Sequence, residues 1–135
     1  MFSLSVQNAY NAYKQNSVTT ASPGELTLML YNGCIKFIHQ GKKAIEAKDI
    51  QNRNKYIQKA QAIISELMAT LNMDIAISKE MFNLYEYMHR RLTEANIQND
   101  AAILDEVEGL VIEFRDTWKQ VIQINRQKQF SGDHV

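Results

Sequence analysis

Histidine and cysteine are the residues of this sequence whose chemistry could define an active site or a metal site. His39, His89 and His134 lie far apart, and none has a second ligand at the spacing of a metal site. Cys34 is the only cysteine. It cannot form an internal disulfide, which is typical of a protein from a reducing compartment. These residues therefore predict neither a metal site nor a cofactor site.

Carboxylates and glycines give no catalytic pattern either. Glu106, Glu108 and Glu113 share one segment, but no second carboxylate-rich segment is present to complete an acid–base pair. One enzyme-like alternative is a histidine phosphotransfer domain, which is a four-helix bundle with an exposed histidine. His39 suits that geometry, but in residues 39–42, which read HQGK, glycine and lysine stand in the wrong order for that family. We therefore predict that the protein is not an enzyme.

Charge and hydrophobicity limit the classes of partner. Fifteen Lys and Arg balance fifteen Asp and Glu, and the longest basic runs are the pairs at 42–43 and 90–91. Nucleic-acid and anionic-membrane binders usually carry a basic excess, so neither partner is predicted. The sequence has no apolar run of about 18 residues, and residues 1–8 do not resemble a signal peptide. We expect a cytoplasmic protein that does not insert into a membrane.

The positions of the elements follow from capping residues and apolar spacing. Five glycines and one proline are too few for the turns of a sheet protein, so the fold class is all-α. Ser22, Pro23 and Glu25 form the start signal of a first helix. A second helix is predicted over about 50–73, a third after a cap at Ser78, and a fourth from a cap at residues 99–100 to about Gln127.

These elements predict an antiparallel four-helix bundle over residues 22–127. Residues 1–21 are predicted to be a partly extended or mobile N-terminal segment packed on it, and residues 128–135 a disordered tail. Small residues in the first helix, at Gly33, Gly41 and Ala44, are predicted to let a neighbouring helix approach closely.

Each helix carries more apolar residues than one face of a bundle needs. The apolar arc spans roughly 160° on the fourth helix and roughly 140° on the second, whereas a stripe a little over about 100° is enough for a core. The predicted core rows include Ile63 and Leu67, Leu84 and Met88, and Leu110 and Val121. The second rows comprise Tyr31, Ile35, Ile38, Ile50, Ile57, Ile64, Met68, Phe82, Tyr85, Leu104, Val111, Trp118 and Ile122.

Two interpretations of the second rows stay open at this point. They either seal the bundle and seat the N-terminal segment, or they form a groove for an amphipathic partner helix, which is recognised through apolar anchors at helical spacing. The second interpretation describes a helical interaction module, and the sequence pattern alone does not decide between the two.

Three stretches of the sequence carry a more specific pattern. Tyr10 and Tyr13 precede SPGEL at residues 22–26, residues 87–100 read YMHRRLTEANIQND, and residues 106–120 read EVEGLVIEFRDTWKQ. In this order and at these separations they resemble the FliS family of flagellar secretion chaperones, over residues 8 to about 122. One of the stretches alone would be a weak signal, whereas the combination is specific.

The resemblance implies a function and a set of partners. Members of that family bind the disordered C-terminal segment of flagellin in the cytoplasm, prevent its premature polymerisation and assist its delivery to an export gate component at the membrane. It also implies that the segment bearing the tyrosine pair covers part of the site in the free chaperone. The predicted flagellin-binding residues are Tyr10, Tyr13, Ile50, Ile57, Ile64, Met68, Phe82, Tyr85, Leu104, Val111, Trp118 and Ile122.

Overall fold

The backbone of residues 22–133 forms four α-helices joined by short connections. This computed structural model describes those residues, with side chains as far as residue 128. The helices are α1 (Pro23–Glu46), α2 (Ile50–Ala69), α3 (Ala76–Gln98) and α4 (Ala101–Asp133). None of the described residues belongs to a β-strand.

Helix α1 begins at the predicted signal. Ser22 is the N-cap, its hydroxyl oxygen accepts a hydrogen bond from the Glu25 amide at 3.2 Å, and Pro23 occupies the first helical position. The Glu25 carboxylate forms an ion pair with Arg126 of α4. An acid in the first turn also interacts favourably with the positive end of the helix dipole. The start of α1 is therefore fixed both by its own cap and by the neighbouring helix.

The connection between α2 and α3 differs from the prediction. Helix α2 ends at Ala69 rather than near residue 73. The hydroxyl of the next residue, Thr70, donates to the Leu67 carbonyl at 2.8 Å. Helix α3 begins at Ala76, so the predicted cap Ser78 lies inside the helix and is buried. A side-chain hydrogen bond in the loop, from the amide of residue 74 to Asn72 Oδ1 at 3.1 Å, starts the turn earlier than the sequence suggested.

The junction between α3 and α4 follows the prediction more closely. Asn99 closes α3 in the left-handed conformation, with φ of 55°, and the Asp100 carboxylate accepts a hydrogen bond from the Ala102 amide at 2.9 Å. Asparagine tolerates this conformation better than most residues. Helix α4 continues to Asp133, past the predicted end at Gln127 and into the predicted disordered tail.

The helices form an antiparallel ring, as predicted. Helices α1 and α3 each pack against both α2 and α4. The start of α1 lies beside the end of α4, because the Trp118 indole N–H donates to the Gly24 carbonyl at 2.8 Å. Likewise Gln61 of α2 donates to Thr93 of α3 at 2.7 Å. The up-and-down order follows from the short connections.

Glycines in α1 explain how closely the helices approach, as predicted. A Cβ atom built on Gly41 would lie 3.4 Å from Ile57 Cγ1 of α2 and 3.5 Å from Leu104 Cδ1 of α4. A Cβ atom on Gly33 would lie 3.3 Å from Ile63 Cδ1. Large aliphatic side chains of α2 and α4 therefore occupy the space that a side chain on α1 would fill.

The core corrects the predicted division into core rows and second rows. Five residues assigned to the second rows, and thus to a surface groove, are at most 2% exposed and belong to the hydrophobic core: Ile57, Ile64, Tyr85, Leu104 and Val111. Tyr31 and Ile38 are buried as well. Conversely, Leu84 and Val121 of the predicted core rows are 40% and 36% exposed. The core therefore takes residues from both rows, since Leu67 and Met88 of the predicted core rows are buried too. A wide apolar arc does not specify which part of it faces the bundle axis.

A candidate binding surface between helices α3 and α4

The residues predicted to bind a partner fall into three groups. Ile57, Ile64, Tyr85, Leu104 and Val111 lie in the core, where the folded bundle covers them. The others within the described chain reach the surface: Ile50 is exposed, and Met68, Phe82, Trp118 and Ile122 are half-buried. Tyr10 and Tyr13 lie outside the described residues.

An apolar seam between α3 and α4 contains the exposed members of the predicted core rows. We define the α3/α4 seam by Ile77 and Leu84 on α3 and by four residues on α4: Leu110, Phe114, Val121 and Ile124. Four of its six members are substantially exposed, at 57% for Ile77, 40% for Leu84, 36% for Val121 and 50% for Ile124. Leu110 and Phe114 are partly buried against the core.

Helical spacing places these residues along one groove. Arg91 of α3 contacts Glu106 of α4, which identifies the sides of the two helices that face each other. Residues seven apart return to nearly the same side of a helix, so Leu84 and Ile77 continue the row that ends at Arg91. On α4, the four seam residues follow Glu106 at intervals of four, four, seven and three residues, so they lie on the same side of the helix as Glu106. The two rows therefore run side by side towards the end of the bundle where α1 begins.

Aromatic side chains form the floor of the α3/α4 seam. The Phe114 ring lies 5.5 Å from the Tyr85 ring and 6.3 Å from the Tyr31 ring, centroid to centroid, with a tilted and an edge-on geometry. Such arrangements are favoured over face-to-face stacking. The Tyr31 and Tyr85 hydroxyl oxygens are 2.5 Å apart and share a hydrogen bond, and burial raises the pKa of both phenols. The floor is thus packed, uncharged and internally satisfied.

A polar cluster closes the seam at the α3–α4 junction. Arg91 Nε donates to Glu106 Oε1 at 2.8 Å, the Tyr87 hydroxyl donates to Glu106 Oε2 at 3.0 Å, and Arg91 also pairs with Glu94. The hydrogen bond from the Arg91 guanidinium lowers the pKa of the Glu106 carboxyl. Arg91 is therefore paired with one acid of its own helix and one of α4.

A smaller apolar spot lies at the opposite end of the bundle, where α2 begins and α3 ends. Ile50 and Ile97 are 66% and 79% exposed and flank an open depression of about 320 Å³. The remaining lining is polar and consists of Gln51, Arg53, Asn54 and Asn96. An apolar helix face would find two aliphatic contacts there, fewer than the α3/α4 seam offers.

The cysteine and the two described histidines differ in burial. Cys34 is fully buried, its Sγ lies 3.8 Å from the Ala60 carbonyl oxygen, and burial raises the pKa of its thiol to about 12. His39 is exposed on α1, and burial lowers the pKa of the half-buried His89. Within residues 22–128, His, Cys, Asp and Glu side chains form no group of three that could hold a metal ion. In the described part of the chain, no helix is long and apolar enough to span a membrane.

Sequence reasoning missed the α3/α4 seam, although a signal for it was present. Ile77, Leu84 and Arg91 recur every seven residues on α3, which marks one side of that helix. Among the seam residues, Leu84, Leu110 and Val121 were assigned to the core because their spacing matched the core rows. An arginine at the end of such a row is the indication that the row reaches the surface, since a charged side chain is rarely buried without a partner.

Comparison with known proteins gives matches over nearly the whole chain. The family model described as "Flagellar protein FliS" matches residues 6–125. A Bacillus subtilis (strain 168) protein named flagellar secretion chaperone FliS is 56% identical over 132 residues, which cover 98% of this chain and 99% of that protein. A Salmonella typhimurium protein of the same name is 34% identical over 110 residues, covering 79% of this chain and 82% of that protein.

A solved structure has the same fold. The protein described as "Crystal structure of flagellar chaperone from bacteria" superposes with a TM-score of 0.71 and covers 87% of this chain and 97% of its own. Its sequence identity to this chain is 20%, so the similarity concerns the fold.

Proposed function

Because this chain belongs to the FliS family and is a flagellar secretion chaperone rather than an enzyme, we propose that it binds the disordered C-terminal segment of flagellin in the cytoplasm. In this proposal the bound segment is kept from polymerising prematurely and is delivered to an export gate component at the membrane. The α3/α4 seam is the observation that carries it, since it offers an exposed apolar groove flanked by two helices.

The physical basis is the recognition of an amphipathic helix by apolar anchors. A flagellin terminus that assembles by helix packing carries an apolar stripe before assembly, and the seam provides a complementary surface. Each large aliphatic side chain buried there contributes about 1.5–3 kcal/mol before other costs. Ordering a disordered segment consumes part of this free energy. Several anchors are therefore needed, and the seam supplies six side chains from two helices.

The half-buried residues of the sequence-based set are not members of the α3/α4 seam. Trp118 and Ile122 lie on α4 beside Gly24 of α1, Phe82 lies on α3, and Met68 lies near the end of α2. They remain proposed contacts of the flagellin segment, as does the exposed Ile50 at the other end of the bundle. The five core residues contribute by holding the helices in place.

The N-terminal segment with Tyr10 and Tyr13 is proposed to be a displaceable cover of the binding surface. It joins the bundle at Ser22, at the end towards which the α3/α4 seam runs. Deleting residues 1–16 is expected to leave the cooperative unfolding of the bundle intact, because the described core consists of residues of α1 to α4, and to change the affinity for flagellin. Loss of cooperative unfolding in the deletion variant would show instead that the segment is part of the core structure.

A calorimetric titration with a peptide from the C-terminal region of flagellin tests the proposal. Leu84→Asp is expected to weaken binding at least tenfold, about 1.4 kcal/mol, while leaving the fold intact. Asn83→Asp is the matched control, since it adds the same charge at an exposed position next to Leu84 on the same helix and is expected to change the affinity less than twofold. Equal effects of the two substitutions, or none from Leu84→Asp, would contradict the assignment of the seam.

A further inference from the structure

A cluster of lysines and aromatic rings lies on the face formed by α1 and α2. We define this lysine–aromatic patch by Lys36 and Phe37 on α1 and by Lys55, Tyr56 and Lys59 on α2. The Phe37 and Tyr56 rings stack across the two helices, with centroids 6.4 Å apart and planes inclined by 21°. Lys59 Nζ lies 5.4 Å from the Phe37 centroid and 5.8 Å from the Tyr56 centroid, and Lys55 Nζ lies 5.4 Å from the Tyr56 centroid.

Among the residues whose side chains the structure describes, no acid forms an ion pair with the three ammonium groups of the patch. Within the described part of the chain, ion pairs form at Lys42, Arg90, Arg91, Arg115 and Arg126, and at none of the patch lysines. Residues 1–21 contain no Asp or Glu that could supply a partner. Burial, followed by repulsion from Lys55 and Lys36, lowers the pKa of the Lys59 ammonium group. A protein whose charges balance overall therefore concentrates uncompensated positive charge on one face.

The position of the patch separates it from the α3/α4 seam. In the ring of helices, α1 packs against α2 and α4, and α3 packs against the same two helices. The α1/α2 face is therefore on the opposite side of the bundle from the α3/α4 face. A ligand on the patch does not have to compete with one in the seam.

We propose that the lysine–aromatic patch is a second binding surface, which takes an acidic segment of a protein partner while the α3/α4 seam holds another. Carboxylates of the segment neutralise the three lysines, and its apolar side chains pack against the exposed parts of the Phe37 and Tyr56 rings. Electrostatic complementarity of this kind steers association and fixes the register of a partner. The simultaneous occupation of both surfaces rests on the proposed function, whereas the binding of acidic segments does not.

An acidic protein segment fits the patch better than a nucleic acid does. Nucleic-acid sites extend basic charge along a face so that many phosphates are contacted. Here the positive charge spans about one turn of one helix and one position of its neighbour, and the chain as a whole has zero formal net charge. The stacked rings also lie against each other, which leaves their faces less available to stack on bases.

Fluorescence anisotropy with the full chain tests the proposal. The probe is a fluorescein-labelled peptide that repeats two glutamates and one phenylalanine. The wild-type protein is expected to bind it, with affinity that falls as salt rises because ionic strength screens exposed charges. Replacing Lys36, Lys55 and Lys59 with Gln is expected to weaken binding at least tenfold. The control replaces Lys79, Lys119 and Lys128 with Gln, which changes the net charge equally at three exposed lysines elsewhere, and is expected to weaken binding less than threefold.

The outcomes separate the alternatives. Equal weakening by the two triple variants, or absence of binding by the wild-type protein, overturns the proposal, and so does tighter binding of a single-stranded oligonucleotide of the same charge. Tyr56→Leu, which keeps an apolar side chain but removes the ring, is expected to weaken binding less than the loss of the three lysines. Prior addition of the flagellin peptide is expected to leave the affinity for the probe within twofold. Displacement of the probe by that peptide would show that the patch belongs to the flagellin site.

Discussion

Helix α3 is held by a different kind of interface on each of its two flanks. Towards α2 the contacts are polar and directional: Arg53 Nε donates to Asn96 Oδ1 at 2.8 Å, Asn96 donates to Asn54 at 2.8 Å, and Gln61 donates to Thr93 at 2.7 Å. Towards α4 one polar cluster at the junction gives way to the apolar α3/α4 seam. The polar flank fixes the register of the two helices, because hydrogen bonds require defined geometry.

The difference indicates which flank is suited to a partner. Polar groups that already bond to each other contribute little to the binding free energy of a partner, since new hydrogen bonds would replace existing ones. Apolar surface contributes whenever it is removed from water, and it does so without strict geometry. A chaperone for a disordered segment therefore benefits from an apolar seam on one side of a helix and a rigid interface on the other.

A buried charge tests the largest difference, the one between core and seam. Val111→Asp is expected to destabilise the bundle by several kcal/mol or to unfold it, because a carboxylate would replace a side chain that is 1% exposed. Leu84→Asp is expected to cost less than about 1 kcal/mol, as is usual for surface substitutions. Urea denaturation measures both. Similar losses in the two variants would place Leu84 in the core and remove the seam.

Prediction from the sequence succeeded for the fold and failed for the boundary between core and seam. The helical class, the antiparallel order and the cap at Ser22 followed from composition, short connections and the capping pattern. The buried part of each apolar arc did not, because Leu104 and Leu110 belong to the same wide apolar arc of α4. Gly41 contained the missing information: Ile57 and Leu104 fill the space beside it, so a glycine on one helix requires large residues on its neighbours.

The binding surface was predicted less completely than the fold. The family resemblance suggested a flagellin partner, but half of the described candidate residues belong to the core. Exposure depends on how far each helix is turned and on where its neighbours end, and a single helix pattern contains neither. The lysine–aromatic patch illustrates the same point, because Lys36 and Lys59 are separated in sequence and come together only when α1 packs on α2.

Substitution in the aromatic floor of the seam is expected to have the next largest effect on stability. Tyr85→Phe removes one member of the buried hydroxyl pair and leaves the Tyr31 hydroxyl without its partner, which is expected to cost about 1–3 kcal/mol. The double variant Tyr31→Phe, Tyr85→Phe is expected to regain most of that loss, because no unpaired hydroxyl remains. Thermal and urea unfolding of the single and double variants measure the coupling. Additive losses would show that the hydroxyl pair does not act as a unit.

On the polar flank, a double-mutant cycle at Gln61 and Thr93 is expected to give a smaller coupling. The hydrogen bond between their side chains is partly exposed, so its net contribution is about 0.5–1.5 kcal/mol. Neither Gln61→Ala nor Thr93→Ala should alter the affinity for the flagellin peptide by more than twofold. A marked loss of affinity in these variants, with stability retained, would show that the flagellin peptide binds at the α2/α3 flank and not at the α3/α4 seam.

The smallest expected effect concerns the polar cluster that closes the seam, and it depends on pH. Hydrogen bonding to Arg91 lowers the pKa of Glu106 in the folded protein from the ordinary value of 4.5. A lowered carboxyl pKa adds stability above the ordinary value, and this contribution is lost as pH falls through the lowered value. Wild type should therefore exceed Glu106→Gln in stability at neutral pH, and the difference should shrink in acid.

Urea unfolding of both proteins across this pH range measures the difference. Glu113→Gln is the matched control, since Glu113 is exposed on the same helix and forms no ion pair within the described residues. Because the Glu106 carboxylate is partly exposed, added salt should reduce the difference. A difference that grows as the pH falls would mean that Glu106 opposes folding when charged. The junction end of the seam would then be held by its apolar contacts, and the contrast between the two flanks of α3 would be greater than the hydrogen bonds of Glu106 suggest.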